Sequence, residues 1–282
     1  MAADTNPAAT TAATSASVRP IQSNMGQVWS RLRFDAASAA AEEPMLASML
    51  NAAVLRHDSF SEALAHRVAE KMADAQLDAL QMHHIARAAF AAAPQIAEEA
   101  ARDMLAVDER DPAVRSFLQP FLYFKGFHAL LCYRVAHWLW REGRETLAFH
   151  LQSRMSERFG VDVHPAARLG SGIMIDHATS VVIGETAVVG DDVSILHEVT
   201  LGGTGAESGD RHPKIGRGVL IGAGAKVLGN IKVGEAARIA AGSVVLQDVA
   251  ERCTVAGVPA RPVGGPCAEP SRTMDQTFSD TD

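Results

Sequence analysis

VHPAARLGSGIMIDHATSVVIGETAVVGDDVSILHEV, residues 163–199, and IGRGVLIGAGAKVLGNIKVGEAARIAAGSVV, residues 215–245, return a small or branched aliphatic side chain at every sixth position. The column reads Val163, Leu169, Ile175, Val181, Ala187, Val193 and Val199, then Ile215, Ile221, Val227, Val233, Ile239 and Val245. Eleven of these thirteen residues are Val or Ile. A period of six fits neither a helix nor one long flat strand. It suits a chain that makes a short strand, turns, and comes back to the same inward position, three turns closing one coil. Adjacent coils then pair as parallel ladders, and the repeated aliphatics stack into an apolar column. Small residues, as in Ile221-Gly222-Ala223-Gly224-Ala225, permit the tight corners.

Outward from this stretch the composition changes. Residues 25–160 are rich in Ala, Leu, Glu, Arg and Met and poor in β-branched residues, which is the preference of long helices. Leu46, Leu50 and Val54, then Leu64, Val68 and Met72, then Leu77, Leu80, Ile85 and Ala89 recur at helical spacing, with breaks near Ser59 and Asp74. Asp111-Pro112 reads as a helix start, with Asp as cap and Pro in the first turn. The aromatics Phe124, Phe127, Tyr133, Trp138 and Trp140 mark a packed or subunit-facing surface. The predicted organisation is a disordered tail at 1–22, a helical oligomerisation domain at 23–160, a solenoid at 161–265, and a flexible tail at 266–282. Pro259, Pro262 and Pro266 end the parallel stack by removing ladder donors.

Bulk properties exclude several function classes. A net charge of -7 and a pI near 5.9 argue against nucleic acid as the main partner, since phosphate binding needs a concentrated basic face. No apolar run is long enough to span a membrane, and the polar start lacks the composition of a secretory signal. Cys132, Cys253 and Cys267 are odd in number without CxxC pairing, so a reducing, cytoplasmic setting is expected rather than a disulfide framework or structural metal.

Chemistry gathers where the repeat is least regular. Between Val199 and Ile215 the period is interrupted by LGGTGAESGDRHPK, residues 201–214, which a regular solenoid must eject as a surface loop. His164, His177, His197 and His212 cluster around these departures. Asp162 precedes His177 by fifteen residues, so their side chains could meet diagonally near a corner, the carboxylate fixing the imidazole tautomer for general-base work. Asp176 adjoins the same histidine and could instead hold a cationic ligand group. The spacing alone does not decide which aspartate plays which part, and both could simply cap corners through Asx turns.

The strings DPAV, YFKGFHAL, YRVAHWLW, VDVHPAARLGSGIMIDHAT, VVIGETAVVGDDVSILHEVTLGGTG, GDRHPKIG and AGVPAR closely resemble those of serine O-acetyltransferases, within the hexapeptide-repeat acyltransferase superfamily. The resemblance is strong over Asp111 to Gly265. It implies an α+β fold class, an all-α N-terminal domain followed by a left-handed parallel β-helix. It implies transfer of acetyl from acetyl-CoA to the hydroxyl of L-serine, the first step of cysteine biosynthesis from serine, without a tightly bound cofactor. His177 would be the general base and Asp162 its orienting carboxylate. Asp111 and Asp176 would meet the serine ammonium and Arg211 its carboxylate, and His212 matches a further substrate-contacting position. Acetyl-CoA would lie in a groove along Gly203, Thr204, Ala223, Ala241 and Arg261, where small residues admit the pantetheine arm and Arg261 could meet a phosphate.

The same resemblance implies a homotrimer, or a hexamer joined through the helical half, with sites at the subunit interfaces. It also implies cysteine feedback at the serine site. Family members that dock O-acetylserine sulfhydrylase do so through a terminal isoleucine, whereas this chain stops at Ser279-Asp280-Thr281-Asp282. Other acceptors, such as homoserine, a sugar or an amine, are competing readings. So are a zinc enzyme recruiting His177, His197 and His212, and a scaffold that binds without turnover.

Overall fold

The computed structural model describes residues 25–205 and 208–277. The segment 1–22, read from sequence as a tail, lies outside the described residues, as do residues 278–282. The first half is helical: α1 (Met25–Glu42), α2 (Ala47–Leu50), α3 (Phe60–Met72), α4 (Ala79–Ala92), α5 (Gln95–Arg110), α6 (Leu118–Tyr123), α7 (Lys125–Arg141) and α8 (Glu145–Phe159). The breaks fall at residues that satisfy free helix ends. Ser59 accepts from the Glu62 N–H at the start of α3, and Asp78 and Gln81 close a reciprocal capping box on α4. Gly160 ends α8 in the left-handed region at φ 67°, a conformation that costs glycine least.

Asp111-Pro112 does not start a helix. Asp111 is the extended residue that terminates α5 (φ −100°, ψ 105°), and α6 begins only at Leu118. A residue before proline is driven out of the helical region, so the same dipeptide that can open a helix here closes the preceding one. The Asp111 carboxylate instead accepts from the Ala113 N–H at 2.9 Å and organises a turn.

From Val161 the chain forms a parallel β-solenoid of triangular section. One face stacks β1 (Val161–Val163), β4 (Val181–Ile183), β7 (Thr200–Gly202), β10 (Lys226–Leu228) and β13 (Val244–Val245). The second stacks β2 (Arg168–Leu169), β5 (Val188–Val189), β8 (Lys214–Ile215) and β11 (Lys232–Val233). The third stacks β3 (Met174–Ile175), β6 (Ser194–Ile195), β9 (Leu220–Ile221), β12 (Arg238–Ile239) and β14 (Thr254–Gly257), with β15 (Ala260–Val263) antiparallel at its end.

The six-residue column expected from sequence slips once. Val163 pairs with Ile183, Leu169 with Val189 and Ile175 with Ile195, so the first coil is two residues longer than the three hexads predicted. After the slip the inward column runs Ile183, Val189, Ile195 and Leu201, then Ile215, Ile221 and Val227. The sequence concealed this because Val181, Ala187, Val193 and Val199 are also fully buried, at the second inward position of each strand or corner. The two additional residues lie in the corner Asp176–Ser180.

The two halves are joined by a buried polar anchor. Arg134 of α7 bonds Asp103 of α5 through Nη2 at 2.6 Å and Nε at 3.1 Å, Glu99 at 2.8 Å, and the Gly170 carbonyl of the first coil at 2.9 Å. Asp103 also accepts from the Ile173 N–H at 2.9 Å, and Tyr133 Oη donates to the Ala167 carbonyl. The polar segment after Cys267, expected to be loose, carries the short helix α9 (Pro270–Thr273). Arg272 pairs with Glu109 of α5, and Ser194 Oγ, which accepts from Arg110, donates to the Ser271 carbonyl at 2.8 Å. Low hydrophobicity left this docking invisible, because it rests on ion pairs and hydrogen bonds.

Candidate active site

The long corner between β3 and β4 is the irregular part of the solenoid. His177, Ala178 and Ser180 all take positive φ, at 55°, 58° and 61°. Non-glycine residues in that region store strain and persist only where their surroundings over-determine them. Here the surroundings are the first turn of α7. A Cβ on Gly126 would come within 2.0 Å of the Ile175 carbonyl oxygen, so only glycine lets α7 abut the strand that leads into the corner. Lys125 Nζ donates to Thr179 Oγ1 at 2.5 Å from the same turn. His177 is thereby held outward, its side chain 76% exposed, with Nε2 at 3.8 Å from Asp176 Oδ2.

A cleft of about 400 Å³ opens between this corner and the helical half, lined by Asp111, Phe124, Lys125, Met174, Asp176 and His177. Three of the residues singled out from sequence, Asp111, Asp176 and His177, are therefore neighbours despite 65 residues of separation between the first two. Two carboxylates beside an imidazole can receive an ammonium group and leave the ring free to take a proton. Asp162 is not joined to His177 within the chain. It points outward from β1 and accepts from Gln152 Nε2 of α8 at 2.6 Å.

Arg211 and His212 stand at the other edge of the β1 face, where the ejected loop returns to β8. Arg211 Nη2 pairs with Glu185 Oε2 at 2.7 Å, and the arginine holds that carboxyl below its ordinary range. His212 is buried, and burial, followed by the Arg211 charge, lowers its pKa. Lys214 Nζ staples the loop by reaching Asp210, the Thr186 carbonyl and the His212 carbonyl at 2.6, 3.0 and 2.6 Å. Below them His164 sits edge-on to Trp140 and Phe149, with ring centroids 5.3 and 5.5 Å away. Its pKa is lowered by burial.

The residues expected along the acetyl-CoA groove, Arg261 apart, divide between the same two edges. The strand register places His197, Ala223 and Ala241 in successive coils above His177. The His177 and His197 rings meet at 5.9 Å, and above them the edge presents only small side chains. Gly203 lies at the opposite edge, where a Cβ would touch Arg211 at 3.4 Å, and Thr204 is exposed beside it. Arg261 lines a cleft of about 330 Å³ at the end of the stack with Leu246 and Pro259. His212 is across the face from His177 and His197, so the three histidines do not converge within one chain.

Lys125, Gly126, Glu185 and Thr186 escaped sequence reasoning. The last two lie in GET, residues 184–186, a corner that reads as ordinary solenoid until the loop above folds onto it. The signal available was a charged and a hydroxyl residue in the coil below an insertion that itself carries Arg and His.

Residues 28–132 match the family described as serine acetyltransferase, N-terminal, and residues 212–247 match the bacterial transferase hexapeptide (six repeats) family. The serine acetyltransferase of Salmonella typhimurium is 54% identical over 89% of this chain and 93% of its own length. The crystal structure of the Vibrio cholerae serine acetyltransferase superposes with a TM-score of 0.88 at 56% identity, covering 90% of this chain and 98% of that one. A Brucella abortus serine acetyltransferase, solved in complex with coenzyme A, superposes with a TM-score of 0.84 at 50% identity, covering 87% and 100%.

Proposed function

The chain belongs to the serine acetyltransferase family, and from that premise we propose that it moves acetyl from acetyl-CoA to the L-serine hydroxyl, releasing CoA and O-acetyl-L-serine. The observation that carries this reading is the convergence of Asp111, Asp176 and His177 on one cleft, beneath an edge of small residues. The left-handed hexapeptide β-helix supplies the rigid spacing, and the strained corner presents the base.

In the proposed reaction Asp111 and Asp176 hold the serine ammonium, which places Oγ against His177. The neutral imidazole takes the hydroxyl proton as Oγ attacks the thioester carbonyl carbon. The tetrahedral oxyanion then collapses, the C–S bond breaks, and the imidazolium returns its proton to the departing CoA sulfur. Arg211 clamps the serine carboxylate and His212 donates to it. These two residues occupy the far edge of the face, as does the Gly203-Thr204 pair, so one chain carries two half-sites. A threefold ring is a closed symmetry that would set the His177 edge of one copy against the Arg211 edge of the next. In that ring Asp162 of the neighbouring copy orients His177. The pantetheine arm lies between the two edges along Ala223 and Ala241, and Arg261 meets a phosphate of CoA.

Thiol release from acetyl-CoA with L-serine, homoserine, sugars and amines tests the assignment. L-serine is expected to be the preferred acceptor, and His177→Ala is expected to lower kcat by about 100- to 10,000-fold, the usual contribution of a general base. Turnover of a sugar or amine in preference to serine, or wild-type kcat in the variant, refutes it.

A further inference from the structure

We propose that Thr186 is a positioning residue that fixes His212 as a neutral hydrogen-bond donor through Nε2, seated on Gly184. The inference deepens the reading above, in which His212 faces the carboxylate of the acceptor amino acid.

Thr186 meets Arg211 and His212 through four hydrogen bonds. Its Oγ1 accepts from the Arg211 N–H at 3.0 Å and from the His212 N–H at 3.1 Å. The hydroxyl proton is left to be donated, and both His212 Nδ1, at 2.9 Å, and the Asp210 carboxylate lie within its reach. The Thr186 backbone N–H points at the same nitrogen from 3.2 Å. That N–H requires a lone pair on Nδ1 whichever acceptor the hydroxyl takes, so the proton of the neutral ring resides on Nε2.

The seat is equally specific. A Cβ on Gly184 would fall 2.0 Å from Nε2 and 2.1 Å from Cδ2 of His212, so the ring rests where any other side chain would be. This glycine is required for space, since its backbone conformation is an ordinary one. Burial raises the cost of protonating the imidazole most, Arg211 and Lys214 add positive charge around it, and Glu185 opposes them. A neutral donor beside a guanidinium suits a carboxylate well. Arg211 supplies the charge, while the Nε2–H fixes orientation without a second cation that burial would penalise.

The experiment uses the full-length enzyme and its Thr186→Val, Thr186→Ser and Gly184→Ala variants. Losing the hydroxyl is expected to raise KM for L-serine by about tenfold, the effect of one or two hydrogen bonds, with KM for acetyl-CoA held within about twofold. Thr186→Ser should restore serine affinity, and Gly184→Ala should reproduce the valine defect. Histidine-selective 15N NMR should show an unprotonated Nδ1 for His212 in the wild type, and a changed tautomer balance in Thr186→Val. A protonated Nδ1 in the wild type, an unchanged serine KM in Thr186→Val, or failure of the serine variant to rescue overturns the proposal. The NMR reading needs no substrate. A wild type that leaves L-serine unacetylated would therefore overturn the reaction while the tautomer is still decided.

Discussion

Gly126→Ala tests whether the helical half is part of the site or only a neighbour of it. The added methyl carbon would lie 2.0 Å from the Ile175 carbonyl oxygen and 3.2 Å from the Ile175 Cβ. Ordinary non-bonded contact begins at about 3.5 Å, so roughly 1.5 Å must come from α7 or from the strand. Helix α7 cannot retreat freely, because Arg134 and Tyr133 pin it to the first coil at Gly170 and Ala167. The displacement therefore falls on residues 175–179, which carry Asp176 and His177 and are already strained at His177 and Ala178. Overpacking of this kind costs about 1–3 kcal/mol, or about 2–4 °C in Tm for each kcal/mol in a chain approaching this size. A misplacement of about 1 Å in a reacting group costs about 100-fold in rate. The expected variant folds, melts several degrees lower, and loses about two orders of magnitude in kcat by thiol release. Wild-type kcat together with wild-type Tm would show that α7 does not set the corner.

Two further outcomes follow from the buried polar groups. Arg134→Leu leaves Asp103, 1% exposed, without its counter-charge and is expected to cost about 3–5 kcal/mol in urea unfolding. Most of that loss should be recovered when Asp103→Leu is added, and a single variant with an unshifted midpoint would contradict the anchor's role. His128 donates from Nε2 to the Phe121 carbonyl at 2.9 Å, and burial lowers its pKa from 6.5 to about 3. The unfolded chain binds the proton first, so this stabilisation is complete above about pH 6.5 and declines as pH falls toward about 3. The slope should approach about 1.4 kcal/mol per pH unit from this group. Urea midpoints measured from pH 7 to pH 4 should fall less steeply in His128→Gln, and parallel curves would exclude the histidine as a source of acid lability.

Much of the architecture was legible because it is periodic. Ile215, Ile221, Val227, Val233, Ile239 and Val245 are buried in the register that the six-residue repeat predicts, since each coil imposes the same inward position on the chain. The slip at Asp176–Ser180 was illegible for the complementary reason. Each strand or corner offers two inward positions, both accept small aliphatics, and a two-residue shift moves the pattern from one to the other without breaking it. Asp111-Pro112 failed similarly, because cap and terminator use the same residues and differ only in which side the helix lies.

Residue type and local period therefore determined the helical and solenoid halves and the ejected loop, while the resemblance to serine acetyltransferases singled out His177, Asp176, Arg211 and His212 as the proposed reactive groups. Which groups meet was decided by tertiary structure: Asp111 joins His177 because α5 and α7 dock on the corner, and His212 acquires its tautomer because Thr186, 26 residues earlier, lies one coil below. Such encounters depend on coil length and helix docking to within an ångström or two. A solenoid's sequence repeats its local instructions and does not record where a coil gains two residues.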